Sequence, residues 1–519
     1  MANELILSID CGTQSVRALL FDSEGTLRAK EQIKFEPYFS SFPGWAEQDP
    51  ELYWQSACCA CKQLKENNPD LWGSIIGVAV TTQRDTCVAV DQNMHALRPA
   101  ILWLDQRMAK CEKPLPMQQR LLFSAVGMTK TLEITRKKGK ANWIRENEPE
   151  ILEKTYKFLL LSGYFVMKLS GRFVDSVASQ IGHVPFDSKR RCWAKPSDFK
   201  WNLFDIEPER LPELVEPGTV IGGVTKEAAE QSGILEGTAL IAAGSDKGCE
   251  TLGMGCLSDG DASLSYGTTA TVQTTSAHYF EPLQFMPAYP ASIPGYYNPE
   301  IEIFRGYWMI SRFVEEYAQE EAEMAKQRHM KVEALLDEEL DKVPAGCRGL
   351  MLTPYWGPGL KMPDAKGSII GFGEVHTKPY IYRSIIEGIN YMLLEGMESL
   401  EKRSGSGKKI KRVMVSGGGS ASDVVCQITA DMFDRPTYKG VTSEASGLGA
   451  AINGFVGLGV YSNYEVAVSK MVHYAKVFTP DSENAQLYHK LHSRVYKHIY
   501  PKLRELYREI QSITDYPKF

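Results

Sequence analysis

Twice in this chain an apolar strand runs into a short Gly-Thr turn and leaves it as a second apolar strand. Glu4 to Asp10 is rich in Leu and Ile, Cys11-Gly12-Thr13-Gln14 supplies the turn, and Ser15 to Asp22 is apolar again. Ser23-Glu24-Gly25 has the residues of a further hairpin turn. Midway along the chain, Ala262 to Tyr266, Gly267-Thr268-Thr269 and Ala270 to Thr275 repeat the pattern. The likeness is weak as a sequence repeat, but it points to a duplicated scaffold. A third glycine-bearing element follows: Arg412 to Ser416 reads as a strand, Gly417-Gly418-Gly419 as a turn and Ser422 to Phe433 as a helix. Strand–glycine–helix is a geometry that aims backbone N–H groups at a ligand, and Gly447-Leu448-Gly449-Ala450-Ala451 reads as a second case of it. Between these lie a short buried strand at Ile75 to Thr82, a helix at Asn142 to Tyr156, and an apolar strand from Ala239 to Gly244 that runs into Ser245-Asp246. Alternating strands and helices imply an α/β architecture. At 519 residues the chain exceeds one hydrophobic core, so two or more domains are expected.

Charge and composition remove several function classes. The formal net charge is −6, whereas a nucleic-acid binder usually carries a basic stripe. The densest basic run, Arg136-Lys137-Lys138-Gly139-Lys140, is short and reads as a solvated helix face. Met1-Ala2-Asn3-Glu4 lacks a basic leader and nothing approaches 18 apolar residues in a row, so neither export nor a membrane span is expected. The 11 cysteines follow no disulfide spacing, which suits a reducing, cytoplasmic setting. Cys58-Cys59-Ala60-Cys61 sits where Asp49 would cap a helix and Pro50 would open it, so packing of free thiols is favoured over metal binding. The tail after Pro480 places Tyr488, Leu491, Tyr496, Tyr500, Leu503 and Leu506 near helical spacing, so it should pack on the body.

The turns carry the chemistry. A nucleoside triphosphate needs N–H donors, hydroxyls and a Mg²⁺ held by carboxylate or water. Asp10-Cys11-Gly12-Thr13 offers a metal-facing Asp, a close-approach Gly and a hydroxyl, and Gly267-Thr268-Thr269 offers a Gly and hydroxyls from the other half. Taken singly, each such hairpin is more often only a turn. No Gly-x-x-x-x-Gly-Lys-Ser/Thr occurs, which sets P-loop enzymes aside.

Taken in order, these pieces resemble the FGGY carbohydrate kinases, a family that includes glycerol, xylulose, ribulose and gluconate kinases. The resemblance covers nearly the whole chain. It takes in Gln83-Arg84-Asp85-Thr86, Trp103-Leu104-Asp105-Gln106-Arg107, Gly237-Thr238, Asp246, Ser265-Tyr266-Gly267-Thr268, Pro354-Tyr355-Trp356, and Gly371-Phe372 through Tyr382 to Gly388. It implies two actin-like ATPase (RNase H-like) domains of α/β class flanking a catalytic cleft. The sugar-binding domain would be 1–257, the ATP-binding domain 258–475, and 476–519 a helical tail. It further implies ATP and Mg²⁺ as cofactors, a small sugar or polyol as the partner, no nucleic acid or membrane, and leaves room for a homodimer. Asp246 would be the general base and, with Asp10, would lie at the metal. Gly12, Thr13, Arg17, Gly267 and Thr268 would lie near the phosphates, with Gly417, Gly418 and Ser422 on the adenine side. Arg84, Asp85, Trp103 and Asp105 would bind sugar hydroxyls, since bidentate polar groups beside an aromatic suit a polyol. Some positions depart from the family's pattern. Gln14 stands where glycerol kinases usually carry Thr, Gln83-Arg84-Asp85 looks like the glycerol-kinase version with Asp for Glu, and Lys247 puts a cation beside the base. The substrate is thus left open among ketopentoses, pentitols, tetritols and glycerol-like compounds. An actin- or chaperone-like ATPase driving a partner protein, and an inactive sugar sensor, are the competing readings.

Overall fold

The computed structural model describes residues 4–125, 127–356 and 364–516. Two six-stranded sheets form its frame. The first contains β1 (Leu5–Cys11), β2 (Ser15–Asp22), β3 (Leu27–Lys34), β4 (Ile75–Thr82), β5 (Val220–Gly223) and β6 (Ala239–Ile241), in the order β5-β6-β4-β1-β2-β3. The second contains β7 (Asp261–Tyr266), β8 (Ala270–Gln273), β9 (Glu300–Ile303), β10 (Arg412–Ser416), β11 (Thr437–Gly440) and β12 (Tyr474–Phe478), in the order β9-β8-β7-β10-β11-β12. Each sheet is an antiparallel three-strand meander. Its first strand pairs in parallel with one further strand, that strand pairs in parallel with the next, and an antiparallel edge strand closes the sheet. The duplicated scaffold suggested by the two Gly-Thr hairpins is therefore present as a repeated topology.

Interior strands buried on both faces read as continuous apolar runs, and every residue of β1 and of β7 is buried. In β1, Leu5, Leu7 and Ile9 pack into one core with Tyr53, Trp54 and Leu64 of helix α1 (Pro50–Asn67), which Asp49 caps by accepting from the Glu51 N–H at 2.9 Å. Cys58 and Cys61 of this helix are buried in the same core. Ile6 points to the opposite face, with Leu19, Phe21 and Ala79, and meets Leu448, Ile452 and Phe455. The second sheet is covered by the 26-residue helix Lys378–Arg403 and by Asp423–Phe433. Among the described residues no helix is long and apolar enough to cross a membrane.

Several expectations need correction. The apolar run 239–244 pairs only over Ala239–Ile241, and Asp246 does not end a strand: it opens helix α2 (Asp246–Gly253), with Ser245 as the cap accepting from the Gly248 N–H at 3.3 Å. The expected helix 142–156 is two helices, Lys140–Asn147 and Pro149–Lys154, because Pro149 lacks an N–H and disfavours helical backbone before it. The small-residue helix α3 (Ala445–Gly457) uses its first glycines in close contacts with neighbouring elements. It lies across the first sheet, where a Cβ on Gly447 would be 2.2 Å from the Leu19 side chain and one on Gly449 would be 1.9 Å from the Cys249 carbonyl oxygen. Ser8 Oγ donates to the Gly447 carbonyl at 2.8 Å. These glycines serve close packing. In the tail, Tyr488, Tyr496, Ile499 and Tyr507 are buried but Leu506 is 58% exposed. A π-helical turn at His492–Tyr496 adds a residue and moves the buried stripe of Lys497–Thr514 onto Ile499, Leu503 and Tyr507.

Candidate active site

The N-terminal turn places Asp10 at the end of β1, and the β1–β2 register sets Arg17 directly across from it. Arg17 Nη1 lies 3.0 Å from Asp10 Oδ2 and 3.5 Å from Glu444 Oε2, and Lys30 Nζ reaches the other Glu444 oxygen at 2.5 Å. Arg17, expected near the phosphates, pairs through Nη1 with both carboxylates and leaves its side chain 36% exposed. Burial pushes the Asp10 carboxyl up to about 6; Arg17 opposes the shift, and the charges of Asp246 and Glu444 add to it. Asp246 is also raised by burial, against the pull of Arg84 and then Lys247. Two carboxylates of raised proton affinity, Asp10 buried and Asp246 half-buried, suit a divalent cation. Mg²⁺ takes one or two carboxylates and fills its shell with phosphate and water. Among the described residues no cluster of three or more His, Cys, Asp and Glu is arranged for a metal.

The remaining residues of the first hairpin are tied into the same corner. Thr13 Oγ1 donates to Gln83 Oε1 at 2.8 Å and accepts from Trp103 Nε1 at 3.1 Å. The Gly12 N–H closes the turn on the Ser15 carbonyl at 3.0 Å, while a Cβ on Gly12 would find nothing nearer than 3.8 Å. Across the cleft, a Cβ on Gly267 would meet the Thr269 carbonyl at 3.2 Å and Lys247 Nζ at 4.0 Å, and Thr268 is exposed. The carbonyls of Gly267 and Thr268 anchor the turn by accepting from the Tyr307 and Trp308 N–H groups. Gly417 has φ 79° and its Cβ would fall 2.8 Å from the Tyr266 backbone, so both conformation and space require glycine. Gly418 is open, with nothing nearer than 3.9 Å. Ser422 Oγ caps Asp423–Phe433 by accepting from the Val425 N–H at 3.1 Å.

The four proposed sugar contacts separate into distinct settings. Arg84 spans the lobes: its Nη1 lies 2.7 Å from Glu300 Oε2 on β9, and its Nε lies 3.2 Å from Ser245 Oγ and 3.9 Å from Asp246 Oδ1. Glu300 also accepts from Gln273 Nε2 at 2.6 Å. Trp103 joins the Asp10 corner through Thr13. Asp85, at φ 48°, is held by Lys140 Nζ at 2.8 Å, His183 Nδ1 at 2.9 Å and the His183 N–H at 3.1 Å. Burial works against its charge, but Lys140 and His183 hold the carboxyl well below the usual range. Gly182 makes room, since a Cβ there would be 2.5 Å from Asp85 Oδ1. Lys140 is 4% exposed, so the end of the basic run is an internal ion-pair partner, contrary to the solvated face expected. Asp105 faces inward: it accepts from the Ala46 N–H at 2.7 Å and pairs with both Nε and Nη2 of Arg107 at 2.8 Å. Arg107 is itself stacked 4.0 Å from the Trp45 ring and 4.6 Å from that of Trp143. Both Asp105 oxygens are therefore committed to the scaffold.

The sequence singled out neither Lys140 nor His183 as partners of Asp85, nor Glu300 and Glu302 opposite Arg84. Glu302 is pushed up to about 7, by burial first and then by the Glu300 charge. The Asp85 cluster yields a direct test. Asp85→Ala leaves the Lys140 ammonium buried without its carboxylate, and should cost about 1–3 kcal/mol of stability and raise the sugar KM. In a double-mutant cycle with Lys140→Met the two losses should be strongly non-additive; simple additivity would show that the pair is not energetically coupled.

Comparison with known proteins places this geometry. Residues 5–253 match the FGGY family of carbohydrate kinases, N-terminal domain, and residues 262–458 match its C-terminal domain. A protein described as an uncharacterized sugar kinase, YgcE of Escherichia coli K12, is 28% identical over 96% of this chain and 93% of its own. The xylulose kinase of Bacillus subtilis is 27% identical over 98% of this chain and 99% of its own. Among solved structures, xylulose kinase from Rhodospirillum rubrum superposes with a TM-score of 0.82 at 25% identity, covering 97% of this chain and all of that one (100%). With both halves of the molecule matched, the chain belongs to the FGGY family of carbohydrate kinases and is a phosphotransferase on the two-domain actin-like ATPase fold.

Proposed function

We propose that the protein transfers the γ-phosphoryl group of ATP to a hydroxyl of a small sugar or polyol. A ketopentose, pentitol, tetritol or glycerol-like compound would be the acceptor, and Asp246 the general base. One observation carries the reading: a half-buried carboxylate of raised proton affinity opens a helix between Arg84 and Lys247, with Asp10 close enough to feel its charge. Raised affinity suits a group that must take a proton near neutrality. Asp246 would accept the hydroxyl proton as the sugar oxygen attacks, and Arg84 would orient the carboxylate while fastening the lobes through Glu300. Asp10 and Asp246 would hold Mg²⁺, which when bound neutralises phosphate charge. Thr268, the Gly267 turn and the open face of Gly418 would receive the nucleotide, Gly417 keeping the backbone close. Phosphoryl transfer is mostly positioning and charge stabilisation, which suits a cleft built from two rigid lobes. Arg84 and Trp103 border the same corner and would contact the sugar; Asp85 would reach it from the Lys140–His183 cluster. The family matches support neither a partner-driven ATPase nor an inactive sensor.

The test is an ADP-release screen across glycerol, tetritols, pentitols, ketopentoses and ketoheptoses. Slow hydrolysis of ATP alone is expected, with a large stimulation by one compound and stoichiometric sugar phosphate as product, because the site completes itself only around its substrate. A rate indifferent to every sugar yet raised by a protein partner would overturn the proposal.

A further inference from the structure

Helix α2 carries two charged side chains beyond the base that the reaction described above leaves unused. Lys247 Nζ donates to Glu250 Oε2 at 2.8 Å and to Ser265 Oγ at 2.6 Å, and Ser265 Oγ donates to Glu250 Oε1 at 3.0 Å. Burial works against the Glu250 charge, but Lys247, with hydrogen bonds from Ser416 and Ser265, holds its carboxyl below the ordinary range. Ser265 stands two residues before Gly267 and Ser416 immediately before Gly417. One helix of the first lobe therefore grips the roots of both glycine turns of the second.

The grip also brings the ammonium up to the Gly267 turn. Lys247 Nζ is 4.0 Å from the point a Cβ on Gly267 would occupy, so it lies beside that turn. An ammonium has three protons; two are placed on Glu250 and Ser265, and among the described residues the third has no partner.

We propose that Lys247 is a further catalytic residue, whose ammonium contacts a phosphate of the bound nucleotide over the Gly267 turn while Glu250 positions it. The inference rests on the reading of that turn as the phosphate site. In the transfer, the sugar oxygen forms a bond to the γ-phosphorus as its proton passes to Asp246. The bond from that phosphorus to the bridging oxygen breaks, and the electron pair leaves on ADP. The charge gathering on the phosphate oxygens is what Lys247 neutralises, and fixed charges of this kind act strongly in a site that excludes water.

Lys247→Met alone would strand a buried Glu250, so the informative variant is Lys247→Met/Glu250→Gln, which removes both charges. Thermal stability, kcat, sugar KM and calorimetric binding of ATP and of adenosine are compared with wild type. We expect the double variant to fold with near-wild-type Tm and bind adenosine normally. It should bind ATP at least about tenfold more weakly and lose at least about tenfold in kcat, with little change in sugar KM, and Lys247→Arg should recover part of the ATP affinity. If the double variant matches wild type in ATP affinity and kcat, or if adenosine binding falls as much as ATP binding, Lys247 is only a structural ion-pair partner and the inference is overturned. Those results leave the kinase reading standing, whereas a wild-type protein that binds no ATP would remove both.

Discussion

Asp246→Asn should lower kcat by about 10²-fold or more while leaving the fold and ATP binding in place, the range expected when a general base is removed. The substitution suits the local structure. Ser245, not Asp246, caps α2, and the Asp246 oxygen that accepts from the Lys247 N–H at 2.7 Å has an equivalent in the Asn carbonyl. What the variant loses is one half-buried negative charge. That charge helps push Asp10 up to about 6, so its removal should lower the Asp10 proton affinity. Neutralising a desolvated carboxylate whose affinity is raised costs the native state nothing at neutral pH, because the ionised form is the one burial disfavours. Steady-state kinetics and calorimetry decide the matter: a near-wild-type kcat, or a loss of ATP affinity as large as the loss of turnover, would remove Asp246 from the role of base.

Much of the frame was legible because its determinants are local. Apolar runs such as Leu5–Cys11 and Asp261–Tyr266 are what strands buried on both faces require, and the Gly-Thr turns between them fix the hairpins. Gly417 was legible for the same reason, since left-handed backbone at the end of a strand calls for glycine. The parts that escaped depend on partners far away in the chain. Lys140 sits in a run that looks solvated, and only a fold that carries it back to Asp85, 55 residues earlier, makes it internal. Asp105 carried a family role, but the pairing with Arg107 depends on Trp45 and Trp143 closing over the guanidinium. Glu300 and Glu302 lie on an edge strand with no motif around them, and their meaning comes from Arg84 reaching across from the other lobe. A side chain's chemistry can be read from sequence, but its burial and its partner cannot.

Gly449 is the clearest instance, and it carries the second large expected effect. Its place in a Gly-x-Gly helix start suggested a ligand, yet helices α2 and α3 cross there with their backbones in contact. A Cβ on Gly449 would lie 1.9 Å from the Cys249 carbonyl oxygen, and one on Gly253 would lie 2.0 Å from that of Ala445. Neither obstacle is a side chain that can swing aside, so Gly449→Ala must push the helices apart. Alanine would gain about 1 kcal/mol in helix propensity over glycine. Overpacking a rigid backbone crossing should cost about 3 kcal/mol or more, so the variant should be clearly less stable. The effect should also reach the chemistry, because Cys249 sits one turn from Asp246 on the same short helix. Displacing a reacting group by about 1 Å can cost ~10²-fold in rate, so kcat should fall well beyond what the loss of folded protein explains, with sugar KM less affected. Gly418→Ala is the control, since a Cβ there meets nothing nearer than 3.9 Å and should leave the fold intact. Were Gly449→Ala to keep both wild-type Tm and wild-type kcat, the close crossing of these two helices would have to be abandoned as the element that sets the position of Asp246.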